Sequence, residues 1–414
     1  MKKLIFTTLI NFLLILSVFA TQLPTDFLAT QNNAQTEEVE EEIEVKDPFS
    51  FTFGGNLTTN SMLTIYEDKS SFFENSENLS IWLKFPLNKT YTSFFACESF
   101  YDFSLKAAEG QEVVIGNTLD IPLFKFTFNF GSEKTKSTLN LGRFGITDTT
   151  GFVLNQTIDG IFARFISEKT DFSLFAGYTG LLNALNSSFF DCPYIAEGNL
   201  YALSPSYFIS SVSAKFNVFN TQFINTEFVA SVDFNKLDYH KMYATLSLNG
   251  AISQKLYYIL QSTLGMSLKS DGTEDLRIAN LSKIDITSYF NFLSSSLTLH
   301  GVYASAASES LDAFKPITQI QSTFSGKYYS SLLKAGLLYT FKPTAPLFVS
   351  LSSDGVCSFN SDSTLIFDGI QWALESKWQI VSDIYLSVAG QQFISFLEEK
   401  QNQFVVGLKL GFSF

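Results

Sequence analysis

From Pro48 onwards, apolar and polar side chains alternate in segments that are long enough to cross a membrane as β-strands. A period of two is typical of a strand whose two faces meet different surroundings. The C-terminal segment is the clearest example: one face holds Phe404, Val406, Leu408, Leu410, Phe412 and Phe414, and the other holds Val405, Gly407, Lys409, Gly411 and Ser413. The pattern predicts an all-β protein.

Segment length separates a soluble sandwich from a membrane barrel. Membrane-crossing strands need about 9–11 residues, whereas strands of soluble proteins average about 5–6. Several alternating segments reach or exceed the membrane value: Phe49–Thr58, Tyr91–Leu105, Leu256–Leu268 and Phe404–Phe414. After Ala20, no stretch approaches the roughly 20 continuous apolar residues of a membrane helix. The sequence therefore predicts a barrel that is apolar outside and polar inside.

The gaps between alternating segments are short and long in turn. The long gaps include Glu67–Asn78, Ala107–Asp120, Gly145–Thr157, Gly180–Ser206 and Ala306–Ser330. We predict a single transmembrane antiparallel up-and-down β-barrel of about 18 strands (range 14–20), with short periplasmic turns and long extracellular loops. In this scheme the second strand begins near Leu79 and the fourth near Ile121. Ala306–Ser330 is interpreted as one loop, and a strand at Ile317–Phe324 would change the count.

The first 47 residues divide into two predicted segments that precede the barrel, residues 48–414. Residues 1–20 resemble a signal peptide, since Lys2 and Lys3 precede an apolar run that ends at Val18-Phe19-Ala20. The alternative, an uncleaved anchor, would be short for a membrane span. Residues 21–47 form an acidic, flexible N-terminal tail with six Glu between Glu37 and Glu44. The alternative role is a docking segment for a cationic partner or a divalent ion.

Composition excludes several classes of function. The net charge of -13 and the pI of about 4.7 argue against a nucleic-acid partner, which requires a basic surface. The two histidines, His240 and His300, lack zinc-ligand spacing, and there is no Gly-rich phosphate loop. We expect no enzyme activity, no metal and no cofactor. The tail is also too short for the plug of a TonB-dependent transporter.

Candidate functional residues fall into two groups in the predicted lumen. The polar faces of strands supply pore-lining cations, and charge rings set ion selectivity in pores: Lys84, Lys125, Arg143, Arg164, Lys334 and Lys409. Two long loops could fold inward and narrow the pore, and their candidate residues are Asp191, Tyr194, Glu197, Glu309, Asp312 and Lys315. These cations favour weak anion or mixed selectivity. Alternatively, they pair with acidic groups, and the loops cover only the outer mouth.

Three functions remain open at this point. The first is a porin-like channel for passive diffusion of small polar solutes or ions. The second is a non-conducting surface barrel, with an adhesive or structural role. The third is an outer-membrane transporter of hydrophobic substrates, for which the acidic tail would be a poor hatch. No residue in the sequence decides between an open and a filled lumen.

Three stretches resemble known outer-membrane proteins. Val405–Phe414 resembles the terminal strand of bacterial outer-membrane proteins, which ends in Phe and is read by the barrel-assembly machinery; the resemblance makes Phe412 and Phe414 the assembly signal. Leu141–Phe144 with Asp148, Gly151 and Asp159-Gly160, and the turn Trp378–Asp383, resemble a porin-like family of spirochaete outer-membrane proteins. The resemblance implies contact with outer-membrane lipid and a transport role, and, as in many porins, a homotrimer. It implies no binding residue.

Cleavage of the predicted signal peptide is directly measurable. We expect the intact mass of the protein isolated from membranes to lack residues 1–20, with Thr21 as the first residue. A mass that retains residues 1–20 would instead support the uncleaved anchor.

Overall fold

A computed structural model describes residues 51–414 except positions 91, 133, 190–198, 220, 235–238, 270–275, 309–310, 320–328, 361–363 and 398–401. The described residues form β1 Thr52–Tyr66, β2 Ser71–Pro86, β3 Ser93–Ala108, β4 Val114–Gly131, β5 Lys136–Thr147, β6 Asn155–Ile166, β7 Thr170–Tyr178, β8 Tyr207–Phe219, β9 Gln222–Asp233, β10 Tyr239–Ser253, β11 Leu256–Lys269, β12 Arg277–Phe290, β13 Ser295–Ala304, β14 Leu332–Thr344, β15 Leu347–Phe359, β16 Leu365–Val381, β17 Ile384–Ser395 and β18 Gln403–Ser413. The same residues include two 3₁₀ helices, Ala184–Asn186 and Phe292–Ser294. None of the described helices is long and apolar enough to cross a membrane.

The strands form one closed sheet in chain order. Each strand pairs antiparallel with its neighbours in sequence, and β1 pairs with β18 from Asn56↔Ser413 to Tyr66↔Gln403. The ends are fastened by two backbone bonds, because Gly55 N donates to Phe414 O at 2.9 Å and Phe414 N donates to Gly55 O at 3.0 Å. The prediction of a closed up-and-down barrel with 18 strands is confirmed.

The two faces of the strands differ as the alternation predicts. Exposed apolar side chains occupy the outer face, as Ile81, Leu83 and Phe85 do on β2. On the inner face, hydroxyl groups of adjacent strands bond to each other, as between Ser173 and Ser213 at 2.7 Å. A sheet with an apolar exterior and a polar interior matches the architecture of membrane barrels.

Two strands begin seven or eight residues earlier than the sequence pattern predicts. β2 starts at Ser71 rather than near Leu79, and β4 starts at Val114 rather than near Ile121. The ladder continues through these residues, with Phe72 opposite Ala108 in β3. Their alternation is weak because polar residues such as Glu74 and Asn75 occupy both faces beyond the apolar band. Hydrogen bonding, rather than side-chain pattern, sets these strand ends.

Connections at one end of the barrel span two to six residues, and at the other end they span up to 28. We call these the short-turn end and the long-loop end. In the described part of residues 306–330, Thr318 forms an isolated bridge with Phe189, outside the barrel strands. Residues 1–50 lie outside the described residues, so the signal peptide and the tail remain predictions.

Barrel closure requires small residues on β1. A Cβ at Gly55 would lie 2.4 Å from Cζ of Phe414 and 2.8 Å from the carbonyl oxygen of Ser80. We expect Gly55→Val to destabilise the closed barrel by about 2–3 kcal/mol or more, the usual cost of overpacking. Loss of heat-modifiable electrophoretic mobility measures the effect. Gly390→Val in β17 is the control, because its Cβ would meet no atom within 4 Å. Equal folding of the two variants would contradict the prediction.

Candidate functional site in the barrel lumen

A short connection between β5 and β6 is folded around one carboxylate. We call Asp148–Leu154 the inner loop. Asp148 Oδ1 accepts from the backbone N of Val153 at 3.0 Å and of Leu154 at 2.8 Å. Its Oδ2 accepts from Thr150 N at 2.9 Å and Thr150 Oγ1 at 2.5 Å. Gly151 adopts a positive φ of 71°, which favours glycine. A buried aspartate thus fixes the shape of the loop.

The inner loop reaches strands far from its origin. Thr149 N donates to Glu227 Oε2 of β9 at 2.5 Å, and Gln261 Nε2 of β11 donates to Thr149 O at 3.0 Å. The ammonium of Lys283 in β12 lies 5.1 Å from the ring centroid of Phe152. β12 lies six strands from β6, a third of the way around the sheet. The loop therefore crosses the lumen. Our sequence analysis assigned the constriction to two longer loops; Asp148-Thr149-Thr150-Gly151, a run of turn-forming residues, is the signal that could have identified this one.

A second connection, residues 305–331, packs against the inner loop. Ile317 N and Thr318 N donate to Val153 O at 2.9 and 3.1 Å, and Phe314 is fully buried. Of the constriction candidates in this connection, Asp312 Oδ2 bonds Arg277 Nη1 at 3.0 Å. Lys315 lies 4.9 Å above the ring centroid of Tyr239. Both side chains bind strands β10 and β12, while Glu309 lies outside the described residues.

The third connection, residues 179–206, covers the end of β4 that β5 leaves unpaired. Leu119 N donates to Leu200 O at 3.3 Å, and Asn183 Nδ2 donates to Leu119 O at 2.9 Å. The connection also meets the second one, since Phe189 forms the bridge with Thr318. The candidates Asp191, Tyr194 and Glu197 lie outside the described residues.

Arg143 is bound between the wall and this third connection. Its guanidinium donates to both oxygens of Asp159 at 2.8 Å and to Leu181 O at 2.9 Å. The side chain is only 12% exposed, and strand alternation places it on the same face as the exposed Ile161. The structure thus places Arg143 on the outer face of the strand and not with the lumen cations. Its burial there is tolerated because the guanidinium is paired with acceptors.

The three connections share one apolar cluster inside the long-loop half of the barrel. Its fully buried members include Val153, Leu154, Phe314, Ile158 and Leu281. On the short-turn side of the inner loop lies a cavity of about 320 Å³. The cavity wall carries charged and hydroxyl groups, among them Arg164, Ser211, Ser213, Lys215, Asn225 and Glu227. The lumen is therefore apolar and packed on the long-loop side of the inner loop, and it is polar on the short-turn side.

Lys334 belongs to a charged cluster on the wall beneath the loops. Its Nζ lies 3.1 Å from Asp354 Oδ2, and His300 Nε2 lies 2.5 Å from Asp354 Oδ1. His300 and Asp354 meet across Gly336 of β14, where a Cβ would lie 2.1 Å from Asp354 Oδ1. The nearby Tyr329 is buried, and burial with the charges of Asp354 and Asp285 raises the pKa of Tyr329 to about 12. Lys334 is accordingly a paired cation.

Seven cations surround the lumen at the short-turn end. Among the last five residues of the strands at this end, Asp171 is the one acid. The seven cations, which we call the basic ring, are Lys84, Lys136, Arg164, Lys215, Lys342, Lys377 and Lys409. Alternation places all of them on the inner face, opposite exposed apolar residues such as Leu83 and Phe216. All but Lys215 are exposed. Sequence analysis named Lys84, Arg164 and Lys409, and missed the other four.

Three ring lysines repeat one local arrangement. The ammonium lies over an aromatic ring across the hairpin at 4.2 Å for Lys84 and Phe94. The corresponding distances are 4.3 Å for Lys215 and Phe223 and 4.5 Å for Lys377 and Tyr385. Each aromatic residue lies two positions nearer the turn than the register partner of its lysine. Cation–π attraction thus directs these ammonium groups toward the mouth.

The remaining candidates lie along the wall. Arg164 Nε donates to Asp171 Oδ1 at 2.8 Å, and its side chain is 46% exposed. Lys125 is half-buried on the inner face of β4. Phe412 and Phe414 are exposed, with ring centroids 5.9 Å apart.

The chain is similar in fold to solved outer-membrane proteins. The outer membrane protein OpdK of Pseudomonas aeruginosa matches with a TM-score of 0.57 and 8% identity over 88% of this chain and 99% of its own. OpdL of the same organism matches at 0.59 and 11% over 88% and 99%, and OccAB4 of Acinetobacter baumannii at 0.57 and 10% over 87% and 98%. OpdK has also been solved with vanillate. The sequence matches no protein-family model and no curated relative. The likeness establishes the fold.

The inner loop should loosen when its carboxylate is removed. Asp148→Ala deletes acceptors for four donors, which we expect to lower the local opening free energy by about 2–4 kcal/mol. Amide hydrogen exchange of residues 149–154 should then accelerate roughly 30- to 1,000-fold. Asp68→Ala is the matched control, because Asp68 caps Ser70 in an outer turn. Unchanged exchange of residues 149–154 in Asp148→Ala would contradict the assigned role.

Proposed function

We propose that the protein is a porin-like outer-membrane channel for passive diffusion of small polar solutes or ions. One observation carries the proposal: a closed 18-strand barrel with a polar inner wall is crossed by an ordered loop. Barrels of this size are wide enough to enclose an aqueous path. A loop bound to strands up to a third of the way around the barrel limits the width of that path without closing the barrel.

The basic ring supports weak anion or mixed selectivity. Of the predicted pore-lining residues, Lys84, Arg164 and Lys409 belong to this ring, and Lys125 lies on the same wall in register with Lys84 through Ala96 of β3. Charged rings at close quarters select ions by their field. Because Arg164 is paired with Asp171 and Lys334 with Asp354, the preference is modest. That OpdK was solved with vanillate, a carboxylate, agrees with passage of small anions through this fold.

The apolar cluster favours one alternative function. A barrel whose long-loop half is filled by Val153, Leu154 and Phe314 could be a non-conducting surface protein. The polar cavity on the other side of the inner loop favours the channel. The acidic tail and the polar inner wall give the hydrophobic-substrate transporter less support.

Assembly of the barrel is a further part of the proposal. The exposed, stacked rings of Phe412 and Phe414 on the last strand suit recognition by the barrel-assembly machinery. Insertion then places the apolar outer face in outer-membrane lipid, with the short turns in the periplasm. Membership of the spirochaete porin-like family and a homotrimer remain predictions from the sequence resemblance.

Planar-bilayer conductance tests the proposed function. We expect stable current steps that polymers above a cut-off size no longer block. In a salt gradient, we expect a reversal potential whose sign corresponds to a higher permeability for anions than for cations. Lys84→Gln/Lys409→Gln should shift the reversal potential toward the value for a cation-selective pore, because two exposed ring charges are lost.

The control is Lys106→Gln at the long-loop end, where Lys106 pairs with Glu74 at 3.1 Å. Its reversal potential should stay close to that of the unmodified protein. A folded, inserted barrel that never conducts would refute the channel, and strong cation selectivity would refute the role of the ring.

A further inference from the structure

Charge is distributed unequally along the barrel axis. Within the last five residues of the strands at the short-turn end, the basic ring places seven cations against one acid, Asp171. The connections of the long-loop end are instead rich in acids, including Glu67, Glu109 and Glu112. A ring of exposed like charges is self-repulsive unless an anion neutralises it. The ring therefore presents a surface that is complementary to a compact polyanion.

The sequence supplies such a polyanion next to the ring. Residues 37–47 hold six Glu and Asp47 against one Lys46. β1 begins at Thr52, five residues after Asp47, and it begins at the short-turn end. Thr52 is the register partner of Lys84 in β2, and Lys409 lies on β18, the other neighbour of β1. Lys409 is opposite Asn60, eight residues further along β1 than Thr52, so the chain enters the barrel wall next to Lys84.

The distances permit contact with the whole ring. An 18-strand barrel is roughly 35 Å across, from a strand spacing near 4.8 Å and a tilt near 40°. Extended chain spans at most about 3.6 Å per residue, so Asp47 can reach about 18 Å from Thr52 and Glu37 about 50 Å. A short tether gives the two partners an effective concentration on the order of millimolar.

We propose that residues 37–47 bind the basic ring of their own chain and neutralise it at the short-turn mouth. The interaction is electrostatic: carboxylates of Glu37–Asp47 pair with ammonium groups of the ring, and first with Lys84, which adjoins the start of β1. Single exposed ion pairs contribute little, so binding depends on several pairs acting together and on the tether. The acidic segment therefore acts as an internal counterion of the ring and masks part of its anion preference. The proposal needs the folded barrel, and it does not need an open lumen.

Zero-length carbodiimide coupling followed by peptide mass spectrometry tests the contact. In the refolded chain of residues 21–414, we expect amide links from Glu37–Asp47 to Lys84, Lys409 and Lys377. The yield should fall several-fold between 0.05 and 1 M salt, because the Debye length shrinks to about 3 Å. Replacing the six glutamates by glutamine (Glu37→Gln, Glu38→Gln, Glu40→Gln, Glu41→Gln, Glu42→Gln and Glu44→Gln) should abolish most of these links without altering any barrel residue.

Three controls make the result decisive. Lys106→Gln at the long-loop end should leave the yield unchanged, whereas Lys84→Gln/Lys409→Gln should lower it. Links confined to turn lysines outside the ring, such as Lys89, Lys134 and Lys255, would overturn the proposal. Links between isotopically distinct copies would assign the contact to a neighbouring molecule and overturn it as well.

Conductance separates this proposal from the proposed function. If the barrel conducts, the glutamine variant should be more anion-selective than the unmodified chain at low salt, and equal to it at 1 M. If the barrel never conducts, the channel is refuted, and the coupling experiment still decides whether the acidic segment binds the ring. Equal selectivity of the two proteins at low salt would contradict masking.

Discussion

The hydrogen bonding of β1 with β18 is the constraint on which the rest of the structure depends. A sheet edge facing lipid would leave its N–H and C=O groups without partners, at a cost of several kcal/mol for each group. Eleven register pairs from Asn56↔Ser413 to Tyr66↔Gln403 remove both edges at once. The seam is tight because Gly54 and Gly55 leave room for the C-terminal Phe414. Closure in turn creates an interior that connections can enter.

What fills that interior is decided by a few polar contacts. Asp148 holds the inner loop in shape, and Glu227 of β9 and Gln261 of β11 bind it inside the barrel. The apolar residues of three connections then pack on its long-loop side. Cations are paired with carboxylates where the side chains are buried, as Arg143 is with Asp159 and Lys334 is with Asp354. Cations remain exposed where the wall is open, at the short-turn mouth.

The sequence predicted the strands well and the residues inside the lumen less well. Alternation such as that of Phe404–Phe414 located the strands and the apolar outer face, since both depend on neighbouring residues. It failed at Ser71 and Val114, where polar residues occupy both faces and only the ladder continues. It assigned Arg143 to the polar face, although Arg143 shares its face with Leu139 and Leu141. Asp159, the partner that holds Arg143 on the other face, lies 16 residues away.

The sequence by itself determined the strand count, the two faces and the ends at which short turns and long loops lie. These properties follow from a period of two and from turn chemistry, which are local. Only the tertiary structure decided that Asp148–Leu154 lies in the lumen and that seven cations from seven strands face it near the short-turn ends of their strands. Both depend on the register between strands far apart in the chain, and register fixes which residues meet only once the barrel has closed.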